Sequence, residues 1–272
     1  QIYLIMNKTE HNFQNESSIY GPIKSWRLGQ SLGVDPLFKT SICSFNCIYC
    51  QLGNIVNHTN ERKVYISTEK VIEDLHKALS NCGKIDHVTF SGNGEPTLAL
   101  NLGEISRQIK EIIPHAPQAI LTNATTFDDS MILEDIKTFD NIIVKLDASS
   151  EDMFQKINRP VQGITLEKIV SNIKQLKSTF DGKIDVQVMF LPLNNEGIDE
   201  LAKLLIEISP NSVQLNTPKR SYPLSWHREN RGNHNEIFDY QVRELSTISK
   251  DDAYIIESKL KKLTNLKIRS IY

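Results

Sequence analysis

Short runs of β-forming apolar residues alternate along this chain with longer segments whose apolar positions recur at helical spacing. Val88-Thr89-Phe90, Ala119-Ile120-Leu121, Ile142-Ile143-Val144, Val186-Gln187-Val188-Met189-Phe190 and Val213-Gln214-Leu215 are runs of the first kind. Such runs are typical of strands buried in a parallel sheet. Between them, Thr68–Leu79 carries Val71, Ile72, Leu75 and Leu79 on one face, and Leu102–Ile113 carries Ile105, Ile109, Ile112 and Ile113. Asp129–Phe139, Leu166–Phe180 and Glu196–Ile208 complete the helical set. A further strand around Phe38–Ile42 brings the count to six βα units. Repeated units with right-handed crossovers make an α/β fold on a parallel sheet. Periodicity alone fits either a sheet curved into a partial barrel or a flat, doubly wound one.

The ends of the chain read differently. Residues 1–20 are rich in Asn, Glu and Ser without a period, which predicts an irregular lead-in. Gly21-Pro22 and the glycines of Arg27–Gly33 predict a turn-rich approach to the core. Beyond Pro218 the alternation stops. Lys219–His234 reads as a basic loop, and a last helix is expected from Ser249, with Asp252 at capping-box spacing, through Tyr254, Ile255, Leu260 and Leu263. The expected organisation is therefore a core over 21–218, followed by a loop and helical extension over 219–272.

Composition narrows the function little. The 272 residues carry a net charge of −2, so any nucleic-acid binding must come from a local basic patch. No apolar run approaches a membrane span, and Ile2–Met6 is too short for a signal-peptide core. A cytoplasmic protein is expected.

Cysteine placement carries more information. Three of the four cysteines fall in Cys43-Ser44-Phe45-Asn46-Cys47-Ile48-Tyr49-Cys50, and Cys82 stands alone. A tight trio in a reducing compartment reads as a metal or cluster site rather than a disulfide framework. Three thiolates on one loop can each ligate one iron of a cubane, leaving a fourth iron open. The competing reading is a structural zinc site with His58 as the fourth ligand, in a binding module without catalysis.

A C-x₃-C-x₂-C loop with an aromatic residue before its last cysteine resembles the radical S-adenosylmethionine (radical SAM) superfamily. Ser91-Gly92-Asn93-Gly94-Glu95-Pro96-Thr97 is similar to that superfamily's Gly-Gly-Glu motif with Asn93 inserted. Gly21-Pro22-Ile23-Lys24-Ser25-Trp26-Arg27-Leu28-Gly29 narrows the match to small proteins related to the wyosine tRNA-base synthases. The resemblance implies a partial (β/α)6 parallel barrel, one [4Fe-4S] cluster on Cys43, Cys47 and Cys50, and S-adenosylmethionine cleaved to a 5′-deoxyadenosyl radical. It also implies an electron donor of flavodoxin or ferredoxin type. The cysteines for a second cluster, which the wyosine synthases carry, are missing. The substrate class therefore stays open between RNA such as tRNA and a peptide, protein or small metabolite.

Residues at the carboxyl ends of parallel strands form the site in such folds. Gly92 and Gly94 would let backbone approach a ligand, and Glu95 would accept from the cofactor's amino group. Tyr49 would meet the adenine. Asn123 would donate to the methionine carboxylate, or merely close a turn. Lys145 and Asp147 would contact ribose or carboxylate, or pair with each other. Gln187 would face the same mouth, with Met189, Gln214 and Asn216. In Lys219–His234, Tyr222, Trp226, Arg228 and Arg231 would stack on and grip a substrate; the alternative is a surface loop with Trp226 packed on the last helix.

Overall fold

A computed structural model of the chain describes residues 17–218, 221–232 and 241–271. Most of the expected lead-in, and Lys219, Arg220, Asn233 and His234 of the basic loop, lie outside the described residues. The elements run β1 (Ile19–Ser25), β2 (Gly29–Val34), β3 (Ile42–Cys43), β4 (Asn57–His58), α1 (Thr68–Leu79), β5 (His87–Phe90), α2 (Leu102–Ile112), β6 (Gln118–Thr122), α3 (Ser130–Asp135), β7 (Asn141–Lys145), α4 (Glu151–Ile157), α5 (Leu166–Thr179), β8 (Lys183–Met189), α6 (Ile198–Ile208), β9 (Ser212–Asn216), β10 (Tyr222–Pro223), β11 (Val242–Arg243), α7 (Lys250–Thr264) and β12 (Ile268–Ser270). Ser67, Ser150, Thr165 and Ser249 each accept a backbone N–H at the start of a helix, satisfying donors that the first turn leaves open.

The main sheet has the order β1-β2-β5-β6-β7-β8-β9-β12. Only β1 is antiparallel to its neighbour; from β2 onward every pairing is parallel. The sheet curls into the partial barrel expected for the superfamily rather than lying flat.

Two expectations need correction. The strand before the cysteines is β2, not Phe38–Ile42, which is mostly irregular. Its glycines read as turns, yet Gly33 sits in the strand because Tyr20 of β1 lies against it; a Cβ there would come within 2.2 Å of the Tyr20 ring. The C-terminal helix starts where its Ser249 cap predicts, but the chain then returns to the sheet as β12 beside β9. Three residues of ladder are too short to show in a hydrophobic pattern.

The two faces of the sheet differ. One is covered by the helices and holds a continuous apolar core that includes Leu32, Phe90, Ile120, Ile142, Val186 and Val213. The inner face carries Ser31, Thr89, Asn141, Lys145, Asp185, Gln187 and Gln214, with only a small apolar cluster of Leu28, Ala119 and Ile143. Ser25 Oγ accepts from the N–H groups of Arg27 and Leu28 and shapes the β1–β2 turn. Arg27 Nη1 then donates to Gln214 Oε1 at 3.2 Å on that inner face. Burial lowers the Arg27 guanidinium to about 10, against the opposing pull of Asp185. No helix of the described residues is long and apolar enough to cross a membrane.

Candidate functional site

The cysteine loop is laid across the carboxyl ends of the parallel strands and tied down from several sides. Ile42 N–H donates to Asn93 O at 2.8 Å, and Glu95 N–H donates to Ile42 O at 3.0 Å. Asn46 N–H donates to Asn158 O, Ile48 N–H to Ile157 O, and Val161 N–H to Ser44 O. Phe45 packs edge-on against Phe154 at 5.3 Å between ring centroids. Ser44 Oγ meets Thr125 Oγ1 at 2.9 Å.

Gly94 explains the first of these contacts. Its φ is +142°, and a Cβ there would stand 1.8 Å from Ile42 O. The close approach expected at this glycine is therefore that of the cysteine loop's own backbone. Gly92 is similarly occupied, with the Asp35 carboxylate where its Cβ would be.

Cys43, Cys47 and Cys50 are each partly buried free thiols. Burial pushes Cys43 well above the ordinary thiol range, with Glu95 and Cys47 adding to it. Burial likewise raises Cys47 to about 12, with Asp147 and Cys50 adding. Cys50 is raised by burial as well, against a backbone hydrogen bond and the Lys145 cation. Two sulfurs accept side-chain amides: Asn123 Nδ2 lies 3.7 Å from Cys43 Sγ, and Asn158 Nδ2 lies 3.5 Å from Cys47 Sγ. Phe45 N–H adds a backbone donor to Cys43 Sγ at 3.4 Å.

The other expected site residues gather here, several with their polar atoms already engaged. Glu95 Oε1 accepts from Thr97 N–H, Thr97 Oγ1 and Thr122 Oγ1, and Oε2 accepts from Asn123 N–H at 2.6 Å. Burial raises the Glu95 carboxyl against the lowering effect of those bonds. Asn123 takes the turn-closing role: its Oδ1 accepts from Thr125 N–H and Oγ1, while its amide serves Ser44 Oγ and the Cys43 sulfur. Lys145 and Asp147 pair at 3.2 Å, and Lys145 Nζ sits 5.1 Å from the Tyr49 ring centre. Asp147 also accepts from Met189 N–H, Asn158 Nδ2 and the Tyr49 hydroxyl. Its four acceptor sites are thus filled from within the protein. Gln187 lies beside Lys145 in register on the inner face.

His58 is exposed, with Nε2 3.3 Å from Ser44 O. Among the described residues no three His, Cys, Asp or Glu side chains converge on a single-ion site. Cys82 lines an open hollow of about 430 Å³ with Leu79, Ile85 and Ile112, at the carboxyl ends of α1 and α2. Helices that return antiparallel to the strands put those ends on the rim away from the trio.

The basic segment is not a free arm. Gln51 Nε2 donates to Asn230 O at 2.8 Å and Gly232 O at 3.0 Å, and Tyr222 Oη donates to Asn54 Oδ1 at 2.6 Å. Arg231 is buried: its Nη1 donates to Asp35 Oδ2 at 3.1 Å and Ser17 O at 3.0 Å, and its guanidinium faces Tyr20. Arg228 Nη2 donates to Lys39 O and lies over Phe38 and Trp226. The expected substrate grip of Arg231 is thereby corrected to a structural clamp beside the cysteine loop, and Trp226 stacks with Arg228 within the segment. Sequence reading missed Asn158 and Asp35. Asn158 is two residues before Pro160, and Asp35 directly precedes Pro36; in each case a polar residue beside a chain-bending proline was the available signal.

Comparison with known proteins identifies the family and the fold. Residues 37–205 match the model of the radical SAM superfamily. The chain is 40% identical over 248 residues to the UPF0026 protein slr1464 of Synechocystis sp., covering 91% of this chain and 92% of that one. Among solved structures, TYW1 with a lysine–pyruvate adduct bound superposes with a TM-score of 0.59 at 15% identity, over 96% of this chain and 88% of that one. Streptococcus suis SuiB bound to the precursor peptide SuiA gives 0.62 at 13% identity, over 98% of this chain but 52% of SuiB. SuiB has also been solved bound to S-adenosylmethionine. At such identities these two structures show a shared fold. On the family match over more than half of its length, the chain belongs to the radical SAM superfamily of enzymes.

Proposed function

We propose that Cys43, Cys47 and Cys50 hold one [4Fe-4S] cluster and that the chain cleaves S-adenosylmethionine on it to start hydrogen abstraction from a substrate. The supporting observation is the donor set itself: three thiols of one loop, placed at the carboxyl ends of the strands, with amide N–H groups directed at two of the sulfurs. A cubane spreads its three cysteines over three irons, so it does not need ligands converging on one ion as zinc does. When bound, such a cluster would supply the electron for reductive cleavage of S-adenosylmethionine, whose 5′-deoxyadenosyl fragment would take a hydrogen atom from the substrate.

The chain's own residues bind and orient. Glu95 Oε2 takes the Asn123 N–H and has acceptor capacity left for the cofactor's amino group. Its other bonds fix the Ser91–Thr97 loop to the end of β6. Tyr49, held by Asp147 and Lys145, presents its ring to the adenine. Gln187 and Lys145 supply polar groups for the ribose and carboxylate. Asp147 and Asn123 act behind these contacts, as their filled hydrogen bonds require.

For the substrate we favour RNA. Arg159 and Arg243 are exposed and flank Tyr222 beside the cysteine loop, a cationic rim suited to a polyanion. A peptide is the second reading, prompted by the peptide-bound neighbour SuiB. The test is anaerobic turnover of reconstituted protein with reductant and S-adenosylmethionine, following 5′-deoxyadenosine. The proposal expects slow cleavage that accelerates with transfer RNA and weakens with salt. No 5′-deoxyadenosine from iron-loaded protein would overturn the chemistry, and acceleration by peptide alone would overturn the substrate class.

A further inference from the structure

Among the donors around the cysteine loop, Asn158 has a position that neither the motif nor the fold requires. It closes α4, with its N–H donating to Phe154 O, and its side chain is buried. Its single amide nitrogen has two hydrogens and two acceptors, Cys47 Sγ at 3.5 Å and Asp147 Oδ2 at 2.9 Å. It therefore links a cysteine sulfur to a carboxylate that also receives Tyr49, Met189 N–H and Lys145. The backbone around it is held as well. Asn158 O accepts from Asn46 N–H at 3.0 Å, and the next residue, Arg159, has φ +46°. A non-glycine residue in that region persists only where surrounding structure enforces it.

We infer that Asn158 is a positioning residue that sets the reduction potential at Cys47, through an N–H···S bond oriented by Asp147. The inference rests on the reading that Cys43, Cys47 and Cys50 hold the cluster. A donor to a ligand sulfur stabilises the electron-rich reduced state and raises the potential. A nearby carboxylate favours the oxidised state and lowers it. The two residues thus act in opposite directions on the same sulfur, while Asp147 keeps the amide turned toward it. Asn123 plays the corresponding part at Cys43, but its amide also ties down Ser44, so substituting it would disturb the loop itself.

The test is an EPR-monitored redox titration of anaerobically reconstituted wild-type, Asn158→Leu and Asp147→Asn proteins, with iron and acid-labile sulfide measured on each. Asn158→Leu keeps the branched shape and number of heavy atoms and removes the donor. Its cluster should shift to more negative potential, the reduced fraction at a fixed poise falling about tenfold, which is about 59 mV for a one-electron couple. Asp147→Asn should shift the opposite way. Wild-type potential in Asn158→Leu, or shifts of one sign in both variants, would overturn the inference, since general loosening of the loop moves both alike. If Asn158→Leu binds no iron, the Asp147→Asn shift decides: positive supports the inference, and unchanged or negative overturns it. Wild-type protein without iron and sulfide would instead overturn the cluster reading on which this inference stands.

Discussion

The two faces of the central sheet are built from alternate residues of the same strands, yet they obey different rules. On the helix side, Leu32, Phe90, Ile120, Ile142, Val186 and Val213 join one apolar core, and each such side chain stabilises the fold by about 1.5–3 kcal/mol. On the inner side, one residue along, polar groups pair with one another, although Arg27 Nε and Asn141 Oδ1 are buried without a hydrogen bond. Ser31 Oγ meets Thr89 Oγ1, and Asp185 accepts from Asn141, Ser212 and Gln214. Buried polar groups stabilise little but cost heavily when left unpaired. The inner face carries these paired polar groups up to the carboxyl-end rim where the cysteine loop lies. One face supplies stability, and the other supplies a site.

Substitutions can break that comparison, and the largest effects should fall on the core and on the buried Arg231–Asp35 ion pair. Phe90→Ala removes a fully buried ring that meets Phe139 edge-on at 4.9 Å, and should cost about 3–5 kcal/mol in chemical denaturation while folded protein still takes up iron. Arg231→Ala takes the cation from the buried Asp35 carboxylate, leaving only the Leu37 and Phe38 N–H groups on its Oδ1, and should cost a similar amount, about 3–5 kcal/mol. If Arg231 were instead a substrate grip, stability would hold and only turnover would fall. Glu95→Ala leaves Thr97, Thr122 and Asn123 donors without their acceptor. It should lower stability by about 1–3 kcal/mol and weaken S-adenosylmethionine binding about tenfold by calorimetry, with iron retained. Unchanged affinity would limit Glu95 to holding the loop. Gln214→Leu is the smallest, about 1–2 kcal/mol, because it takes the Gln214 Oε1 acceptor from Arg27 while Asp185 keeps Asn141 and Ser212 as donors. Unchanged stability would show that Arg27 finds another acceptor on the inner face.

The sequence made the helix-side face readable because its apolar residues recur in β5 through β9 and on the helices that cover them. It also placed the cysteine loop, the Ser91–Thr97 loop and Lys145–Asp147 in one site, since strand ends collect such residues. What it hid was of two kinds. Elements fixed by tertiary contact left no periodic signal: β2 with Gly33 against Tyr20, α4 with its seven residues, and β12 with three. The partners of each polar group were equally invisible. Asp147 reads as a cofactor contact until Met189, Asn158, Tyr49 and Lys145 are seen around it, and Arg231 reads as a surface cation until Asp35 is found beneath it. The spacing of a motif names the chemistry, while the hydrogen-bond accounting decides which of its neighbours remain available to a ligand.

The most direct measurement of the central claim is iron and acid-labile sulfide per chain after anaerobic reconstitution, compared across single alanine variants of the four cysteines. Cys43→Ala, Cys47→Ala and Cys50→Ala should each fail to hold a stable cluster, while Cys82→Ala, altered on the opposite rim, should match wild type. A full complement of iron and sulfide in any of the first three, or its loss in Cys82→Ala alone, would contradict the assignment.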